Sequence, residues 1–460
     1  MKTIKTIFKA GMGPSSSHTM GPYLAASKFA AQYSNAVLYK VILYGSLAAT
    51  GRGHLTDKAI MSAFAPKQVE ILWQPSIFHS FHPNSMDLQA LDREGNIIVQ
   101  NRAYSVGGGE ILFEGEQSSK EDNIYPHKNF EEIKNFCKEN DLLLFEYVEN
   151  YEGSEIWEFL SGVYASMLKA IERGLQNDGR LPGKLNLPRK ARYFSRKSNS
   201  TPSPVKEIVR LYSYALACSE ENASGGIVVT APTCGAAGVL PAVLRNYAVS
   251  DSTVKERDIL RALATAGLIG NIVRTNASIS GAEVGCQGEI GVACSMAAAA
   301  LSQLIDPAAI SCIEYSAELA IEHHLGLTCD PVEGLVQIPC IERNALAAMR
   351  AYECATFAVI SGGRHRVSFD QVVKVMNETG RDLQAGYRET ALGGLAAELS
   401  ETNEKKYDSV KWDQMQLEQM QVEQMQLEQM QLEQLKVEQM QLEKMQLEQM
   451  LNASAANEKG

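Results

Sequence analysis

Cys286, Cys329 and Cys340 are placed for metal chemistry. Cys286 lies in Gly-Ala-Glu-Val-Gly-Cys-Gln-Gly-Glu (281–289), and Cys329 and Cys340 close Cys-Asp-Pro-Val-Glu-Gly-Leu-Val-Gln-Ile-Pro-Cys (329–340). A structural thiol prefers an apolar helix or strand, whereas these three sit among glycines, prolines and carboxylates. A zinc site favours paired Cys-x-x-Cys spacing. Here 42 residues separate Cys286 from Cys329, ten separate Cys329 from Cys340, and no Cys-x-x-Cys pair occurs. Spacing alone suits structural thiols equally well. Three widely spaced thiolates nevertheless suit an iron–sulfur cluster better than a zinc finger. A [4Fe–4S] cluster held by three cysteines leaves one iron open as a Lewis acid. Cys218, Cys294, Cys312 and Cys354 lie in alanine-rich helical stretches and read as core, as does Cys137. Cys234, in Thr-Ala-Pro-Thr-Cys-Gly-Ala-Ala-Gly (230–238), is either a fourth thiolate or a close-packing residue.

A second set of residues suits a small anionic substrate. Gly13-Pro-Ser-Ser-Ser-His-Thr-Met-Gly-Pro22 is a polar turn leading into a helix. One hydroxyl suffices to cap a helix. Ser15, Ser17 and Thr19 with His18 are more than a cap needs, and helix-start N–H groups bind anions. In Gly45-Ser-Leu-Ala-Ala-Thr-Gly-Arg-Gly-His54, Gly51 and Gly53 permit close backbone approach and precede a histidine able to act as general base. His82-Pro-Asn84 and Gly107-Gly-Gly109 are weaker signals that also read as plain turns.

The elements that must hold these groups divide the chain. Residues 1–155 read as an α+β domain, with strands at Asn35–Ser46, Gln68–Trp73, Ile97–Tyr104 and Glu110–Glu114 and helices at Tyr23–Tyr33 and Thr56–Phe64. A helix at Ser154–Leu175 and a basic linker or docking strap at Asn177–Ser200 fill 156–204. Residues 205–400 are alanine-rich with apolar residues recurring at three and four, the pattern of a mostly α-helical domain. Its helices are expected at Lys206–Cys218, Ala236–Ala248, Val254–Thr275, Gly291–Leu304, Ser311–Leu325, Ile341–Ile360 and Phe369–Thr379. Residues 401–460 read as a low-complexity tail. Met or Leu recurs there every five residues from Met415 to Met450. A five-residue step turns a helix by about 140°, so no apolar stripe or heptad forms.

The net charge of −11 over 460 residues, with −6 of it after residue 400, argues against a nucleic-acid partner. Nine scattered cysteines do not form a secreted disulfide framework. The start lacks the apolar run of a signal peptide, and no 18-residue apolar run is present. A cytoplasmic protein with reduced thiols and no membrane contact is expected.

Taken together, Gly13–Pro22, Gly45–Asp57, His82–Asn84, Ser105–Gly109, Leu181–Gly183, Thr230–Gly238, Asn276–Glu289, Cys329–Cys340 and Glu378–Leu395 resemble the iron–sulfur-dependent L-serine dehydratases of bacteria, single-chain type. The likeness covers residue 1 to about 396. It implies conversion of L-serine to pyruvate and ammonia without pyridoxal phosphate, by an enzyme expected as a homodimer. It maps the [4Fe–4S] ligands onto Cys286, Cys329 and Cys340, the base onto His54, and part of the substrate site onto Ser15, Ser17, His18 and Thr19. Asn276 is expected near the substrate, and Glu283 and Glu289 beside the metal ligands. Some single-chain members end in a cysteine that caps the open iron; this chain has no cysteine after Cys354, so that device is not expected. Two competing readings are a pyridoxal-phosphate dehydratase, which needs a Schiff-base lysine that the glycine-rich loops do not offer, and a non-catalytic amino-acid sensor.

Overall fold

The computed structural model describes residues 1–115, 123–202 and 205–399; the repeat that begins at Met415 lies outside the described residues. The chain enters through β1 (Ala10–Met12) and the wide helical turn Ser16–Met20, which runs into α1 (Gly21–Gln32). Next come β2 (Leu38–Tyr44), α2 (Gly45–Thr50), α3 (Thr56–Phe64), β3 (Val69–Gln74), β4 (Ser85–Leu91), β5 (Ile97–Ser105) and β6 (Ile111–Phe113). The five strands after β1 form one sheet in the order β3-β2-β4-β5-β6, parallel between β2 and β3 and antiparallel elsewhere. Period-two alternation sets its faces. Tyr39, Val41 and Leu43 of β2 turn inward and pack with Phe29 of α1 and Ile60 and Phe64 of α3.

Sequence reasoning missed β4, the strand between β2 and β5, because it reads Ser-Met-Asp-Leu-Gln-Ala-Leu. Its polar residues are buried yet partnered. Asp87 takes two bonds from Arg102, at 2.7 and 2.9 Å, and one from the Tyr44 hydroxyl at 3.0 Å. The Gln89 amide donates to Gln100 at 2.7 Å. Such pairing offsets the desolvation that otherwise keeps polar groups out of a buried strand.

Among the remaining described residues the named elements are helices, with the short β7 the single named strand. After α4 (Phe130–Asn140), α5 (Leu144–Glu152), α6 (Ile156–Gln176), α7 (Ala191–Ser200) and α8 (Val205–Ala223), β7 (Ile227–Val229) pairs antiparallel with β1. Then follow α9 (Val239–Ser250), α10 (Glu256–Asn276), α11 (Gly281–Val284), α12 (Ile290–Ile305), α13 (Ile310–Glu322), α14 (Cys340–Ile360), α15 (Phe369–Asp382) and α16 (Gly394–Glu398). Helix α12 is apolar all round and buried from Ile290 to Gln303, as a central helix must be. It packs on α9, α10, α13 and α14, and its alanines let those neighbours come close. Met1–Phe8 and Tyr125–Val148 contribute to this helical core rather than to the core of the sheet.

The strap expected at Asn177–Ser200 ends as helix α7. The buried Glu220 carboxylate accepts from the N–H groups of Lys190 and Ala191, at 2.5 and 3.1 Å, and so caps its first turn. No single helix among the described residues is long and apolar enough to cross a membrane.

Two glycines bring the site's loops together. A Cβ on Gly53 would lie 2.4 Å from the carbonyl oxygen of Gly334, so only glycine lets the His54 loop press on the Cys329–Cys340 loop. A Cβ on Gly281 would meet the Cys329 sulfur at 3.0 Å and a Glu289 oxygen at 2.8 Å. Gly53→Ala is therefore expected to destabilise the fold by about 1–3 kcal/mol, read as a lowered midpoint in thermal unfolding. An unchanged midpoint would show that the two loops have slack.

Candidate active site and metal centre

Cys286 sits in the tight turn Gly285–Gln287 just ahead of α12, Cys329 in the loop after α13, and Cys340 at the first position of α14. All nine cysteines are free, and Cys286, Cys329 and Cys340 line one cavity. A Glu289 oxygen lies 4.0 Å from the Cys286 sulfur and 3.8 Å from that of Cys329. A hydrogen bond with Cys286 and burial hold the Cys329 thiol well above its ordinary pKa, and burial does the same for Cys340. Without a cation these thiols stay protonated. A soft cation that binds thiolate supplies the missing charge, so the donor set fits a metal centre. Burial pushes the Glu289 carboxyl up to about 6.

The N-terminal half contributes Ser15 and His54 to the same cavity. His54 is buried, and its ring lies 4.5 Å from that of His18. The hydrogen-bond chain assigns its tautomer. The Thr50 hydroxyl donates to the Ser46 carbonyl at 3.1 Å, so at 3.0 Å it accepts from His54 Nδ1. The proton therefore resides on Nδ1, and Nε2 carries the free lone pair. The same logic fixes His18. The Ser46 hydroxyl donates to the Glu389 carbonyl at 2.9 Å and accepts from His18 Nε2 at 3.1 Å, while the Ser17 hydroxyl donates to His18 Nδ1 at 2.9 Å. Burial keeps both rings neutral, lowering His18 to about 3 and His54 well below 6.5.

Glu389 also lines the cavity. Its N–H donates to the Cys329 carbonyl at 2.7 Å, and the Cys329 N–H donates to Tyr387 at 2.8 Å, so this run pairs with the cysteine loop as a short parallel bridge. Its φ of +58° turns the carboxyl inward, where one oxygen lies 3.4 Å from His18 Nδ1.

Comparison with known proteins adds the family. Residues 3–70 match the serine dehydratase beta chain and residues 86–396 the serine dehydratase alpha chain. The chain belongs to the serine dehydratase family. Among its relatives, an L-serine dehydratase of Haemophilus influenzae is 40% identical over 455 residues, covering 87% of this chain and 99% of that protein. L-serine dehydratase 2 of Escherichia coli is 41% identical with the same coverage. An L-serine dehydratase of Streptomyces coelicolor is 40% identical, covering 86% of this chain and 98% of its own length.

In this serine dehydratase family member the expected site residues separate into those at the cavity and those behind it. Ser15, His54, Cys286, Cys329 and Cys340 line it. Ser17 stands behind, orienting His18, and the Thr19 hydroxyl donates to the His54 carbonyl at 2.7 Å. Asn276 is not brought to the cavity. It is exposed at the end of α10, where its amide donates to the carbonyls of Lys128 and Ile272 at 2.7 and 2.9 Å. Glu283 faces the buried His82 imidazole at 3.5 Å, whereas Glu289 lines the cavity. Cys234 is buried against the Met20 sulfur, 3.3 Å away. The sequence reading of site residues missed Glu389. The run Glu378–Leu395 contributed to the resemblance as a whole, but nothing local marks one glutamate in it as inward-facing.

Proposed function

We propose that this chain is an L-serine dehydratase, converting L-serine to pyruvate and ammonia, with a [4Fe–4S] cluster held by Cys286, Cys329 and Cys340. The observation that carries the reading is the single cavity shared by three cysteines, a neutral histidine and the Ser15 turn. When bound, such a cluster supplies a Lewis acid that makes the substrate's β-hydroxyl a better leaving group. Ser15 binds the α-carboxylate at the head of the turn. His54 Nε2 takes the Cα proton, while Nδ1–H stays on Thr50 Oγ1 and keeps the ring in the productive tautomer. Loss of that proton and of the hydroxyl gives aminoacrylate. It tautomerises to the imine, and water releases pyruvate and ammonium. Thr19 and His18 hold the His54 loop in place, and the buried walls exclude bulk water from the anionic transition state.

Anaerobic protein supplied with L-serine is expected to release pyruvate, insensitive to borohydride. Absence of pyruvate from iron-loaded protein would remove the proposal, and borohydride inactivation would favour pyridoxal chemistry instead. The pH profile adds a check. A base acts only when deprotonated, and burial has lowered His54. As pH falls, kcat/KM should therefore hold through 6.5 and decline only well below it. An acid limb centred at or above 6.5 would contradict a buried neutral base.

A further inference from the structure

We infer that Glu389 is the seat of the substrate's α-ammonium group and the residue that selects amino acids over acids lacking the amine. The inference rests on the serine dehydratase reading above. L-Serine presents three polar groups, and the cavity offers Ser15 for the carboxylate and the cysteine-lined side for the hydroxyl, with His54 Nε2 facing Cα. The ammonium still needs an acceptor. Two carboxylates line the cavity, Glu289 and Glu389. Glu289 lies against the sulfurs of Cys286 and Cys329, on the side assigned to the hydroxyl.

Glu389 has the features an ammonium seat requires. It is 4% exposed, its Oε2 is buried with no hydrogen-bond partner, and burial raises its pKa well above the ordinary carboxylate range, so an entering cation is what holds it charged. A buried acceptor left unmade is costly, and an entering N–H donor relieves it. His18 does not supply that donor, because its Nδ1 accepts from Ser17 and its proton lies on Nε2 toward Ser46. The backbone that carries the carboxyl is held by the Glu389 N–H bond to Cys329 and the Ser46 bond to the Glu389 carbonyl. Three separated contacts around Cα define one hand of the substrate.

The test compares L-serine with 3-hydroxypropanoate, which keeps the carboxylate and β-hydroxyl and lacks the amine. In Glu389→Gln, KM for L-serine is expected to rise about 10- to 100-fold, the usual effect of losing a charge-assisted hydrogen bond. The inhibition constant of 3-hydroxypropanoate should change less than about threefold, with iron content unaltered. Glu389→Asp keeps the charge and tolerates a positive φ, and should recover part of the discrimination. Equal shifts for both compounds would show that Glu389 only braces His18, and no shift in either would remove it from the site. Should the variants fail to fold, the wild-type enzyme decides. It should bind 3-hydroxypropanoate at least about tenfold more weakly than L-serine, and equal binding overturns the inference. Because every arm is a ratio between compounds, absence of any pyruvate from the wild type would instead mark failure of the parent reading.

Discussion

In Cys329→Ser, L-serine turnover is expected to fall by roughly a thousandfold or more, the equivalent of about 4 kcal/mol of lost transition-state stabilisation. The protein should lose its brown colour and most of its iron together with activity. Cys329 is the most enmeshed of the three cysteines. Its backbone carries the bridge to Glu389, and its sulfur lies near both Glu289 and the Cys286 thiol. Serine is nearly isosteric but is a poor ligand for iron, so the backbone bridge should survive while the metal does not. Cys312 is the control. It lies buried in α13 and does not line the cavity, and Cys312→Ser should keep iron and turnover within about twofold. Equal losses in both variants would point to a folding defect rather than a lost ligand.

His54→Ala is expected to lower kcat by roughly 100- to 10,000-fold, the range for removal of a positioned general base. Iron content should remain as in the wild type, because the proposed ligands are the three cysteines and His54 only shares their cavity. That split separates a base from a ligand. A His54→Ala protein with normal turnover would leave proton abstraction to some other group. One with normal kcat and raised KM would make His54 a binding residue.

Much of this was legible in the sequence for physical reasons. Helices such as α10, α12 and α14 announce themselves through long runs of three-and-four periodicity. β2 and β5 are visible as β-branched and aromatic runs. The strand that failed to show, β4, hides because Asp87 and Gln89 are satisfied by Arg102 and Gln100 across the sheet, and single-chain patterning contains no cross-strand partners. Helix α7 hides for a similar reason, since its cap is Glu220, distant in sequence. At the site, Cys286, Cys329, Cys340, Ser15 and His54 were visible because their neighbours are unusual. Glu389 was not, because its role depends on a backbone N–H bond to the Cys329 carbonyl and on a positive φ, neither of which leaves a composition signal. Asn276 belongs to the run that resembles the family, but at the end of α10 its amide donates to the Lys128 carbonyl instead.

We propose that Cys286, Cys329 and Cys340 hold a catalytic iron–sulfur cluster in one cavity with the His54 base. Iron and acid-labile sulfide, measured per chain on anaerobically purified protein alongside pyruvate formation from L-serine, test it most directly. About four of each per active chain, with activity rising in proportion to iron, is the expected result. Colourless protein that turns over L-serine at full rate without iron would contradict it.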